Sequence, residues 1–124
     1  EVRKVENKTH TKTTLKKATI EMLLLKLLSE QDMYGYQLSQ ELKKRSMGSY
    51  VILEGSMYPI LYRLTEQKYI SSYERKVGKR QMRVYYHLES EGLKYFLEMK
   101  QEYENYIQLI NFLLEAKEGE CYGE

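Results

Sequence analysis

The chain has 124 residues, 42% of them hydrophobic and 31% charged, with 20 basic against 18 acidic side chains for a net charge of +2. That size suits one domain around one core; no apolar run approaches the ~18 residues that span a bilayer and no leader pattern opens the chain, so a cytoplasmic setting without membrane contact is expected. One cysteine, Cys121, excludes an internal disulfide, and His10 and His87 stand too far apart to suggest a nucleophile–base pair or a metal site, so no enzyme, cofactor, catalytic residue or metal is expected.

Residues 1–14 are polar, rich in threonine and lysine, and lack an apolar period, which predicts a disordered arm. Lys4, Lys8 and Lys12 make that arm a candidate for phosphate contact, offset by Glu1 and Glu6. A first helix is predicted over Leu15–Ser29. Ile20, Met22, Leu23, Leu24, Leu25, Leu27 and Leu28 cover most of its circumference, and a helix apolar on nearly all sides must be buried on more than one. In so short a chain a second copy is the expected cover, with Leu23, Leu24 and Leu27 at the interface.

After the turn Glu30-Gln31-Asp32, a second helix is predicted from Tyr34 to Arg45, with Leu38 and Leu42 as its core stripe and Lys43-Lys44-Arg45 in a last turn that suits the helix dipole. Ser46-Met47-Gly48-Ser49 ends it, and Val51-Ile52-Leu53 reads as a brief strand. A third helix, from Glu54 to Gln67, gathers Met57, Ile60, Leu61 and Leu64 on one face. Gly55, Pro59, Tyr62 and Glu66 lie opposite, with Ser56, Tyr58 and Arg63 on the flanks. Pro59 stands one turn in, where its missing N–H costs little if the helix opens at Gly55 or Ser56.

Tyr69–Arg75 and Arg83–Leu88 alternate as two strands, with Ile70, Val84 and Tyr86 pointing inward. The connection from Lys76 to Met82 is long and basic, the form of a wing. The last helix runs from Ser90, a candidate N-cap, to Lys117. Phe96, Met99, Tyr103, Tyr106, Ile110 and Leu113 follow spacings of three and four, a heptad seam. Such a helix is ~40 Å long, more than the preceding small domain covers, so a homodimer is expected along that seam. The expected division is an arm over 1–14, a winged helix over 15–89, a dimerisation helix over 90–117 and a flexible tail over 118–124.

The expected fold class is mainly α with a small β-hairpin, a winged helix-turn-helix followed by a long C-terminal helix. From Lys68 to Arg83 the chain carries Lys68, Arg75, Lys76, Lys79, Arg80 and Arg83 against Glu74 alone, whereas acids predominate from Glu98 onward. A presented helix beside a cationic hairpin points to double-stranded DNA as the partner. Candidate contacts are Tyr36, at a helix start whose dipole suits phosphate, then Ser56, Tyr58, Pro59, Tyr62 and Arg63 on the third helix, and Lys79, Arg80 and Arg83 on the wing. Each has a plainer alternative: Ser56 as a cap, Tyr58 half in the core, Arg63 paired with Glu66, the wing cations as a solvated tip. A winged-helix module that binds another protein and never DNA is the competing function.

The segments Tyr34-Gly35-Tyr36-Gln37-Leu38, Gly55-Ser56-Met57-Tyr58-Pro59-Ile60-Leu61-Tyr62-Arg63-Leu64, Gly78-Lys79-Arg80 ahead of Val84-Tyr85-Tyr86-His87-Leu88, and Glu91-Gly92 together resemble the PadR family of bacterial transcriptional regulators, over Leu15 to about Ala116. The single C-terminal helix is similar to that of the family's small subgroup. The resemblance implies a homodimeric winged-helix repressor on a palindromic operator. It also implies, as in some relatives, a small aromatic effector stacked at the dimer interface, here against Phe96 and Tyr103.

Overall fold

The computed structural model describes residues 19–117. The expected arm, the start of the first helix at 15–18, Cys121 and the tail lie outside the described residues. The first helix, α1, covers 19–28 of them; β1 (Met33–Tyr34), α2 (Gly35–Arg45), α3 (Glu54–Glu66), β2 (Ile70–Val77), β3 (Gln81–Leu88) and α4 (Ser90–Glu115) follow. The strands form one antiparallel sheet in the order β1-β3-β2. Helices and a small hairpin in this order make a winged helix, as the sequence leads one to expect. Among the described residues no helix is long and apolar enough to cross a membrane.

The core explains why α1 is apolar on most sides. Leu24, Leu25 and Leu27 of α1 close against Met33, Leu38, Met57, Leu61, Leu64 and Ile70, which come from every other element but β3 and α4. Leu24 is 0% and Leu27 1% exposed within the single chain, so neither has surface left for a partner, and their assignment to a dimer interface is corrected. The chain's own helices and sheet supply the cover that had been assigned to a second copy. Leu23 is only half-buried.

Four local expectations also change. Val51-Ile52-Leu53 is not a strand of the sheet; Ile52 plugs the core while the backbone runs extended into Leu53, the N-cap of α3. The short strand instead falls at Met33–Tyr34, opposite Tyr86 and Tyr85. The hairpin is longer than its apolar alternation suggests: pairing continues through Arg75↔Arg83 and Lys76↔Met82 to Val77↔Gln81, which leaves Gly78-Lys79-Arg80 as the turn. Ladder hydrogen bonds are backbone bonds, so charged rungs sustain them as apolar ones do. Val84, expected inward, is exposed because it lies on the core-side face but beyond the core's reach, unlike Ile70 and Tyr86. Finally, the N-cap position of α4 falls on Glu89 and not on Ser90, and its side chain makes no capping hydrogen bond.

Candidate nucleic-acid interface

Met57, Leu61 and Leu64 pin α3 to the core, and 100° per residue then turns Gly55, Ser56, Pro59, Tyr62 and Glu66 to solvent. Tyr62 is 69% exposed. Because α3 opens at Glu54, Pro59 lies past the first turn, deeper than expected. Its missing N–H removes the helical hydrogen bond that the Gly55 carbonyl would otherwise accept.

Arg63 does neither of the things expected of it. Its guanidinium lies 2.7 Å from the Glu21 carboxylate on α1, not against Glu66 and not toward the open face. The same carboxylate accepts a hydrogen bond from the Tyr95 hydroxyl at 2.9 Å. Burial first, and then that hydrogen bond, push the Tyr95 phenol up to about 12. Arg63 therefore laces α3 to α1 and α4. Between the exposed carboxylates of Glu54 and Glu66 at its two ends, the outward chemistry of α3 is hydroxyl and hydrocarbon from Ser56, Tyr58, Pro59 and Tyr62, suited to thymine methyls, phosphate oxygens and groove shape more than to guanine.

Between the N-terminus of α2, α3 and the hairpin lies a cleft of about 420 Å³ lined by Tyr34, Gly35, Tyr36, Tyr58, Gln81, Arg83, Val84 and Tyr86. It brings together Tyr36, Tyr58 and Arg83, three of the residues named as candidate contacts. A Cβ at Gly35 would run into the Tyr58 phenol, so any larger residue there forces that ring to move. Burial raises the Tyr58 phenol, with Glu54 adding to it, and burial also raises Tyr86. Both stay neutral hydroxyl donors at neutral pH. The Arg83 guanidinium sits over the Tyr34 ring, 4.3 Å from its centroid.

Lys79 and Arg80 occupy the hairpin turn, where Gly78 takes φ of 69°. Lys76, Lys79 and Arg80 are exposed, and no ion pair among the described residues engages them. On the hairpin's outer face Tyr73 stacks on Tyr85 at 5.7 Å, Tyr85 meets Tyr34 edge-on at 5.4 Å, and Arg75 lies 5.3 Å from the Tyr85 centroid. Asp32 accepts the Tyr73 hydroxyl at 2.7 Å and faces His87 Nδ1 at 2.8 Å. Asp32, Tyr73, Tyr85 and Gln81 escaped the sequence reading, because their partners lie far along the chain and no local spacing marks them. Among the described residues no group of three or more His, Cys, Asp or Glu side chains is arranged to hold a metal.

Only Gly92 and Phe96 of α4 are buried. Phe96, at 6% exposure, belongs to the chain's own core, which removes it from both the interface and the effector site. Met99 and Ile110 are half-buried, whereas Tyr103, Tyr106 and Leu113 stand open, with Tyr106 at 61%. A groove of about 590 Å³ runs between Thr19 and Met22 of α1 and Met99, Glu102, Tyr103, Tyr106 and Ile107 of α4. Tyr103 lines it; Phe96 does not.

Comparison with known proteins agrees with this geometry. The family model described as "Transcriptional regulator PadR-like family" matches residues 24–98. A crystal structure of a PadR-family transcriptional regulator from Eggerthella lenta superposes with a TM-score of 0.81 at 26% identity, covering 94% of this chain and 100% of that one. A transcriptional regulator from Clostridium thermocellum is 34% identical, with a TM-score of 0.70 over 75% of this chain and 90% of its own. A Lysinibacillus sphaericus protein of uncharacterised role is 31% identical over 99 residues, 80% of this chain and 91% of that protein.

Proposed function

Because the chain belongs to the PadR-like family of transcriptional regulators, not to a family of enzymes, we propose that it acts as a homodimeric repressor on a palindromic operator. The observation that carries the reading is the open face of α3 set beside a hairpin whose Lys79 and Arg80 have no acid partner among the described residues. In this reading α3 enters the major groove with Ser56, Tyr58, Pro59 and Tyr62. Tyr36 and Arg83 grip the backbone beside it, and the hairpin turn reaches the flanking phosphates or the minor groove.

Two-fold pairing comes from the far half of α4, which exposes Tyr103, Tyr106, Ile107 and Leu113 along one seam. An apolar stripe of that length is stable in water only when another surface covers it. Pairing through α4 sets two α3 helices about one DNA turn apart, ~34 Å. A small aromatic effector seated against Tyr103 at that seam would change the angle between the two heads and release the operator.

The test is footprinting of the DNA upstream of the chain's own gene with purified protein, alongside sedimentation at the same concentrations. A protected two-fold site bound by a dimer is expected. Protection that no upstream sequence elicits above random duplex, or a folded monomer at micromolar concentration, overturns the reading.

A further inference from the structure

The cation-bearing end of the hairpin is weakly tied to the rest of the molecule. Its base is fixed: Ile70 is buried and the Ser71 hydroxyl donates to Glu89 at 2.6 Å. Among the described residues its one strand neighbour on the other side is the two-residue β1. Beyond Tyr73↔Tyr85 the ladder runs four more rungs to Val77↔Gln81. At ~3.3 Å per residue the turn therefore stands about 13 Å past that rung. A change of about 15° in strand twist at the rung moves Lys79 and Arg80 by on the order of 3 Å, enough to break a phosphate contact.

One side chain spans all three strands at that rung. Asp32 immediately precedes β1 and takes hydrogen bonds from His87 of β3 and Tyr73 of β2. Burial alone pushes the Asp32 carboxyl up, but the bonds from Tyr73 and His87 outweigh it and hold the group below its ordinary value. It is thus ionised at neutral pH, and His87 Nδ1 carries the proton it donates. The Tyr73 phenol, raised by its bond to Asp32 and then by burial, keeps its proton too. Through the stacked Tyr85 and the edge-on Tyr34 the contact extends to the guanidiniums of Arg75 and Arg83.

We propose that Asp32 is a positioning residue for DNA binding: by clasping Tyr73 and His87 it sets the angle at which the hairpin delivers Lys79 and Arg80 to the DNA backbone. Asp32 itself touches no DNA. The inference rests on the DNA-binding reading above, and the experiment separates the two.

Operator affinity is measured for the full chain, Asp32→Ala, the pair Lys79→Ala with Arg80→Ala, and the triple variant. Loss of the clasp is expected to weaken binding about 10-fold with the wing cations present and less than about two-fold without them, since a residue that acts through those cations has nothing to position once they are gone. Amide exchange is followed in parallel; faster exchange confined to 74–84, with α3 unchanged, is expected and distinguishes release of the hairpin from general unfolding. Should Asp32→Ala fail to fold, Tyr73→Phe, which deletes one exposed hydroxyl, carries the same cycle with an expected loss of about three-fold. Equal losses in both backgrounds, or none in either, overturn the role of Asp32 while DNA binding stands. A wild-type protein that binds no operator removes the regulator reading and this inference with it.

Discussion

Removing the charge at the hairpin turn probes the interface with the fewest confounding effects. Lys79 and Arg80 are exposed in the turn and line no part of the core, so their loss is expected to change folding stability by less than about 0.5 kcal/mol. Each phosphate that a cation neutralises contributes about 0.9 to the slope of log affinity against log salt. Two cations in each copy of a dimer make four contacts, so the Lys79→Ala, Arg80→Ala protein should bind operator with a slope shallower by about 3.6. A four-fold rise in salt, from about 50 to 200 mM, should then cost the wild type about 150-fold more affinity than it costs the variant. Fluorescence anisotropy of a labelled operator duplex across that salt range reads the slope directly. Parallel lines for the two proteins would refute the assignment, because a solvated tip that never meets phosphate leaves the slope untouched whatever it does to absolute affinity.

Other perturbations separate core, lacing and seam. Leu24→Ala should cost about 2–5 kcal/mol in urea unfolding, independent of protein concentration, as a cavity inside one chain must; a concentration-dependent loss would return Leu24 to the interface. Arg63→Ala should lower stability by about 1 kcal/mol, since the pair with Glu21 is half-exposed on the arginine side, and should leave operator preference unaltered in competition binding. Ile110→Glu with Leu113→Glu should give a monomer by sedimentation and weaken operator binding at least about 100-fold through lost bivalency. The bidentate hydrogen bond from Arg45, with its charge, holds the Glu30 carboxyl down to about 2 against an ordinary 4.5. Its contribution is therefore complete above 4.5 and fades as pH falls toward 2, so the acid-unfolding curves of wild type and Glu30→Gln should differ above that window and converge below it.

The sequence carries what local periodicity encodes and little of what long-range pairing decides. Met57, Leu61 and Leu64 recur at helical spacing, so α3 and its outward face with Tyr62 were legible before any coordinates. The stripe through Tyr103, Tyr106 and Leu113 announced a long helix with too little domain to cover it. By contrast, a helix apolar all round, such as α1, states that it is covered and not by what; only the packed chain shows that Leu24 and Leu27 are spent on its own core. Arg63 illustrates the same limit with charge. Glu66, one turn away, is the partner that spacing suggests, yet Glu21 lies 42 positions back and wins because α1 and α3 pack side by side and Tyr95 helps satisfy the same carboxylate.

The hairpin combines both limits. Its outer rungs set Arg75 opposite Arg83 and Lys76 opposite Met82, a mixture of charged and apolar side chains in which no regular alternation announces how far the strands run. Backbone hydrogen bonds build the ladder, and the angle of its end is left to side chains that meet only after folding: Asp32 to Tyr73 across 41 positions and to His87 across 55. The chemistry that reaches toward a ligand is thus carried by exposed residues with few contacts, while their aim depends on an acid that looks like an ordinary turn residue in the sequence. A substitution at Asp32 should accordingly leave secondary structure, core and charge pattern nearly intact and still degrade binding, and that combination separates aim from stability as the cause.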